Sequence, residues 1–212
     1  MVIRFTYMQF IEFKEKLKRF PVFNLSEIRK IEVNFDLRRL HEWTSKGYIK
    51  KIRRGFYIFS DMPLDEVSLF YIANKIYHPS YVSLQMAFSW YNLIPEAVYM
   101  VTSVTSQKTN TFTTSLGDFQ YQHVKPEFFF GYDLKERNGQ SFMVAEVEKA
   151  LLDYLYLNPE IKEAEDFVEL RFNCVEFKTQ ADLSKIKNYA TMFNNQALGT
   201  RLDSFLRYLK YA

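Results

Sequence analysis

The stretch from residue 47 to 59, Gly-Tyr-Ile-Lys-Lys-Ile-Arg-Arg-Gly-Phe-Tyr-Ile-Phe, constrains the chain most. Ile49–Arg53 carries two isoleucines among three cations, and Phe56–Phe59 is a short run of aromatic and β-branched residues. Arg54-Gly55 between them leaves room only for a tight reversal, so they read as a hairpin. A two-stranded hairpin is marginal in water until something packs on it. The residues before it supply that partner. Phe10, Phe13, Leu17 and Phe20 recur at helical spacing, which predicts a helix over 5–19 closed by Pro21. Val22-Phe23 reads as an extended piece. Asn24 or Ser26 caps a second helix carrying Leu25, Ile28 and Ile31, and Glu32-Val33 makes a turn. Asn34 is the expected N-cap of a third helix that ends at Gly47. Three helices followed by a hairpin within residues 1–60 is the plan of a winged helix-turn-helix, in which the third helix enters the major groove of DNA and the hairpin lies along the backbone.

Charge agrees with that plan. Residues 1–60 hold 14 Lys and Arg against 6 Asp and Glu, a balance of +8, while residues 61–212 hold 14 against 19, a balance of −5. A basic module on a mildly acidic body is expected to meet a polyanion. On the third helix, Val33, Leu37, Leu40 and Thr44 are expected to face inward. Phe35, Arg38, Arg39, Glu42 and Lys46 are expected to face outward, with Asn34 at the tip. Arginine forks suit guanine, asparagine suits adenine and glutamate suits cytosine. Lys50, Lys51, Arg53 and Arg54 place four cations on one hairpin arm, where they repel one another and phosphates would relieve them.

Beyond a linker at Ser60–Pro63, residues 61–212 are expected to form a second, α+β domain. Helices are predicted over 65–77 and 80–92. Strands are predicted over 98–105, 109–114, 119–124, 128–134 and 140–144, with turns at Gly117-Asp118 and Asn138-Gly139. Helices near 146–157, 160–170 and 179–210 close the chain, the last broken at Asn194-Asn195. The sheet is expected to be mostly antiparallel. Aromatic residues make up 18% of the chain and can fill a core without disulfides; the single cysteine, Cys174, allows none internally. No run reaches the ~20 apolar residues of a membrane span, and the first residues are too mixed for a signal peptide, so the expected setting is cytoplasmic.

Three stretches together resemble AbiEi-type antitoxins. Residues 47–57 are similar to that family's Gly-x-Ile-x-Arg-Ile-x-Arg-Gly-x-Tyr wing. Val82-Ser83-Leu84-Gln85-Met86-Ala87-Phe88 is similar to its Val-Ser-Leu-x-Ser-Ala-Leu helix. Ala145-Glu146-Val147-Glu148-Lys149-Ala150-Leu151-Leu152-Asp153 is similar to its Ala-x-Pro-Glu-Lys-Ala-Leu-Leu-Asp motif. Met86, Phe88 and Val147 depart from the pattern, none of them in the basic wing, where Lys51 stands at an Arg position and keeps the charge. The resemblance implies an autorepressor of a toxin–antitoxin operon whose winged helix binds inverted repeats of double-stranded promoter DNA. It also implies a C-terminal domain that counters a nucleotidyltransferase-like toxin without forming a stable complex with it.

Glu148, Lys149 and Asp153 lie in a helix that is otherwise apolar. Two readings account for them: charges bridged to one another within a largely buried helix, or an antitoxin surface. No catalytic residue, metal, cofactor, membrane or small-molecule substrate is expected. There is no Asp-x-Asp pair, no phosphate-cradling glycine loop, and His41, His78 and His123 are scattered. The competing reading is a non-antitoxin interaction module whose basic end binds RNA or an acidic protein.

Overall fold

The computed structural model describes residues 8–95, 98–137 and 139–211. The first residues of the helix expected over 5–19, and Asn138 of the expected turn, lie outside the described residues. The chain divides into two compact units, Met1–Leu64 with Thr114–Leu116, and Asp65–Thr113 with Gly117–Ala212.

In the first unit, α1 (Phe10–Leu17), β1 (Val22–Asn24), α2 (Leu25–Ile31) and α3 (Arg38–Ser45) precede the hairpin β2 (Ile49–Arg53) and β3 (Phe56–Phe59). The sheet order is β1-β3-β2, antiparallel throughout, with Val22 opposite Ile58 and Ile49 opposite Phe59. This is the winged-helix arrangement. Its core is aromatic. The Phe13 ring meets those of Phe23, Phe35, Trp43 and Phe59 at centroid distances of 4.6 to 6.2 Å. Phe20 is half exposed rather than inward, because α1 ends at Leu17 and the helical period does not extend that far. Asn24 caps α2 with a reciprocal box. Its Oδ1 accepts from the backbone N–H groups of Ser26 and Glu27, and Glu27 Oε2 accepts from the Asn24 N–H.

The second unit is α+β. Its elements in order are α4 (Glu66–Ile76), β4 (Ser80–Val82), α5 (Leu84–Trp90), β5 (Met100–Thr105), β6 (Asn110–Thr114), β7 (Gly117–His123), β8 (Tyr132–Arg137) and β9 (Gln140–Ala145). Five helices follow: α6 (Val147–Leu157), α7 (Ala164–Glu169), α8 (Cys174–Gln180), α9 (Leu183–Phe193) and α10 (Gln196–Tyr211). One six-stranded sheet runs β6-β7-β5-β4-β9-β8. Counting both units, four of the six pairings with a described register are antiparallel, while β5/β7 and β4/β9 run parallel. Among the described residues no helix is long and apolar enough to cross a membrane.

Two expected elements take a different form. Residues 80–92 are not one helix. Ser80–Val82 form a strand that completes the ladder between β5 and β9, and α5 begins only at Leu84. The Phe128–Phe130 run is not strand either. Pro126–Phe128 is a 3-10 turn, and β8 starts at Tyr132. Phe128 is still core, stacked on Phe193 at 4.6 Å and edge-on to Tyr156 at 5.4 Å. The last helical stretch breaks at the expected place: Asn194 adopts φ +43° and separates α9 from α10.

Candidate nucleic-acid interface

The turn between α2 and α3 fixes what α3 presents. Phe35 is drawn into the core, and Asp36 turns the chain ahead of the helix: its Oδ1 accepts from the Arg38 N–H at 3.0 Å, and Leu37 is the N-cap. Asn34 is therefore not the N-cap. It lies in the preceding turn, exposed and four residues before the first helical position. The inward face also differs from the expected one, because Trp43 and Arg39 pack inward. Val33 and Leu37 are exposed at 78% and 52%, Thr44 is exposed, and the inward set is Phe35, Arg39, Leu40 and Trp43.

Arg39 does not take the outward place that a simple helical wheel gives it. Its Nη1 donates to both Glu32 carboxylate oxygens at 2.8 Å, and its Nη2 donates to the Met8 carbonyl. The guanidinium carbon sits 4.6 Å from the Phe35 ring centroid and 4.7 Å from that of Trp43. A planar cation can cover aromatic faces while its edge satisfies a carboxylate, so an arginine can be interior here at little cost. Arg39→Ala strands Glu32 and the Met8 carbonyl. It is expected to destabilise the first unit by about 1.5–3 kcal/mol, as for hydrogen bonds to charged groups. Arg39→Lys keeps the charge but loses the fork and the stacking, and should recover only part of this. Urea titration of the two variants checks it; an unchanged midpoint for Arg39→Ala would show that the contact is not stabilising.

Arg38, His41, Glu42 and Ser45 make up the outward face. Arg38 is 90% exposed along its side chain yet is held by Asp36. Nε donates to both carboxylate oxygens at 3.1 and 3.0 Å, and Nη2 donates to Oδ2 at 2.8 Å. The Arg38 guanidinium in turn holds the Asp36 carboxyl below the usual carboxylate range. Lys46 pairs with Glu42 at 2.6 Å, which raises its pKa. The charges of α3 are thus largely matched by carboxylates and a lysine on or beside the helix. His41 and Ser45 are not among the residues that the sequence singles out. Once Leu40 and Trp43 are inward, the 100° step per residue puts positions 41 and 45 opposite them.

The hairpin behaves differently. Its register shifts between Lys51 and Arg53, which breaks strict alternation and lets both Ile49 and Ile52 turn inward while Lys50 and Lys51 stay exposed. Gly55 takes φ +85° at the reversal, a conformation that favours glycine. Arg53 lies over the Phe56 ring at 5.3 Å. Among the described residues the side chains of Lys50, Lys51 and Arg54 form no ion pair. The unneutralised positive charge of this arm is therefore on the wing.

Glu148, Lys149 and Asp153, the second group of candidates, are interior and form no surface. Lys149 and Asp153 are 0% exposed and pair with each other one turn apart. Lys149 Nζ also donates to Tyr81 Oη at 2.8 Å. Tyr81 Oη and Ser83 Oγ both donate to Asp153 Oδ2 at 2.9 Å. Rings of Tyr81, Phe130 and Phe193 surround the ammonium with centroids 5.1 to 5.4 Å away. Burial pulls the Lys149 pKa down and pushes that of Asp153 up, and each opposes the other's shift. Local bridging is correct for this pair. Glu148 bridges elsewhere: it accepts from the Asp182 N–H at 2.9 Å and lies 3.7 Å from Lys185 Nζ. Gly131 beside the pair takes φ +69°, a conformation that favours glycine, and a Cβ there would lie 3.0 Å from the Tyr189 ring and 3.1 Å from the Lys149 stem.

No protein-family model matches the chain, and no curated protein is detectably similar to it.

Proposed function

We propose that the chain binds double-stranded DNA through its first unit, with α3 in the major groove and the β2–β3 hairpin along the phosphates. The observation that carries this reading is the unneutralised cation set of Lys50, Lys51 and Arg54 on the wing of a winged-helix arrangement. Lysines on the edge strand β2 also discourage edge-to-edge pairing, but a polyanion gives three neighbouring cations partners while releasing condensed counterions. The +8 balance of residues 1–60 supports the same reading.

The biological role follows from the three motif resemblances. We infer an antitoxin that represses its own operon through promoter inverted repeats and counters a nucleotidyltransferase-like toxin without a stable complex. Its second unit carries that role on a surface other than Glu148, Lys149 and Asp153, which are interior. Binding of the full chain to DNA from upstream of its own coding sequence, to a random duplex of equal length and to double-stranded RNA, measured across salt concentrations, tests the proposal. Tight, salt-dependent binding with preference for the upstream duplex supports it. A preference for RNA, or no duplex binding at low salt, overturns it. Co-expression with a nucleotidyltransferase encoded beside it tests the antitoxin role through rescue of growth.

A further inference from the structure

We propose that the β8 edge of the second unit is where a second copy of this chain adds its own β8, antiparallel and centred on Leu134. β8 ends the order of the six-stranded sheet, so one side of it carries no strand. Its pairing with β9 fixes which backbone groups face that side. The Gly131 carbonyl accepts the Glu146 N–H at 3.0 Å, and the register then runs without a shift to Arg137 opposite Gln140. In an antiparallel pair, residues that exchange hydrogen bonds alternate with residues that do not. Gly131, Asp133, Lys135 and Arg137 therefore turn their backbone groups to β9, while Tyr132, Leu134 and Glu136 turn theirs away from it. β9 has the matching phase. The Met143 N–H, opposite Leu134, donates to Asn74 Oδ1 at 2.6 Å, and the Ala145 carbonyl, opposite Tyr132, accepts from Tyr91 Oη at 2.9 Å. Among the described residues, the outward N–H and C=O groups of Tyr132, Leu134 and Glu136 have no protein partner.

Edge strands are ordinarily shortened, bulged or interrupted by proline, which prevents such addition. β8 spans six residues with an unbroken register and no proline. Its side chains decide what fits. On one face the Tyr132 ring is anchored on Tyr81 at 4.8 Å, but Leu134, next along that face, is 71% exposed. On the other face Asp133 and Lys135 sit side by side, 2.8 Å apart. A second β8 with Leu134 opposite its own copy uses every outward backbone group, covers the leucines with each other and puts each Asp133 opposite the partner's Lys135. The charges then alternate in sign on that face. The outward groups allow the strands to slide only by an even number of residues. The nearest slide one way puts Asp133 opposite Asp133, and the other way puts Lys135 opposite Lys135; like charges directly opposite are destabilising. A strand matched to itself in a single register selects a copy of this chain over an unrelated protein, and the contact is closed and two-fold. Its area is small, so the association is weak.

This pairing does not rest on DNA binding, although a two-fold pair has the symmetry of an inverted repeat. Sedimentation equilibrium of the full chain without DNA should show a monomer–dimer equilibrium with a Kd between about 1 and 100 μM. Asp133→Lys and Lys135→Asp each set like charges opposite one another and should weaken the dimer roughly tenfold. The double variant Asp133→Lys/Lys135→Asp restores opposite charges and should return to the affinity of wild type. Both side chains are half exposed, and thermal melting checks that each variant stays folded. Cross-linking reads the register. Asp133→Cys and Lys135→Cys chains mixed together should oxidise to a disulfide dimer faster than either does by itself, because only the mixed pair puts cysteines opposite each other at a separation that suits the bond. Cys174 is buried and does not compete. A wild type that is still monomeric at about 500 μM overturns the proposal and leaves the edge to a different partner. Dimerisation that both single charge reversals leave unchanged overturns it as well, by placing the contact elsewhere. A monomeric chain that binds duplex DNA sinks this inference alone; a dimer with the charge-swap pattern that binds no duplex sinks the DNA-binding reading alone.

Discussion

Lys149→Ala is expected to cost about 3–5 kcal/mol, because it leaves the Asp153 carboxylate buried without its counter-charge. For a unit of this size that is a fall of roughly 10–15 °C in melting temperature. The apolar neighbours Ala150, Leu151 and Leu152 are untouched by the change, so the loss isolates the pair. Removing both charges should be far milder. In Lys149→Met/Asp153→Leu no ion is stranded, but the Tyr81 and Ser83 hydroxyls lose their acceptor; adding Tyr81→Phe should return part of the remainder. Thermal unfolding of the single, double and triple variants gives the coupling directly. A single variant that melts with wild type would show that the pair contributes nothing. If the second unit carries an antitoxin role, Lys149→Ala should lose it in proportion to stability and the double variant should regain it.

The second large effect concerns the wing. Replacing Lys50, Lys51 and Arg54 together with alanine is expected to weaken binding to every duplex alike. The slope of log affinity against log salt should fall by about 0.9 for each phosphate no longer neutralised, close to three in all. Melting temperature should stay constant or rise slightly, since the three side chains form no ion pair among the described residues and their mutual repulsion is removed. A salt slope equal to that of wild type would assign these residues no role at the phosphates. A loss confined to one sequence would make the wing a base reader instead.

The first unit is legible in the sequence wherever local chemistry decides conformation. β2 and β3 have their expected bounds, since Arg54-Gly55 leaves one kind of turn. The Asn24 cap and the Asn194 break follow from residues that cap or reverse helices by their own side chains or backbone. Sequence and structure part where a distant partner decides. Residues 80–82 join a strand pair formed with residues 103–105 and 144, and nothing in their own neighbourhood distinguishes this from a helix start. Counting from Asn34 gives the wrong outward face for α3; the signal in the sequence that corrects it is Trp43, whose bulk demands the inward stripe. Arg39 cannot be placed from composition at all. Its partner Glu32 is seven residues away and meets it only because the chain turns between them. Lys50, Lys51 and Arg54 are legible as exposed because a short basic strand edge has nowhere to bury them.

The interior pair also bears on how this sequence can drift. From Lys149 and Asp153, any single codon change that removes one charge must pass through a protein carrying the other charge uncompensated, and with native stabilities of only about 5–15 kcal/mol a loss of several is rarely survivable. The two positions are therefore tied as one inherited character. Among descendants of this chain they should be kept together or replaced together, while Gly131 should stay glycine in either case, since its φ of +69° disfavours any side chain.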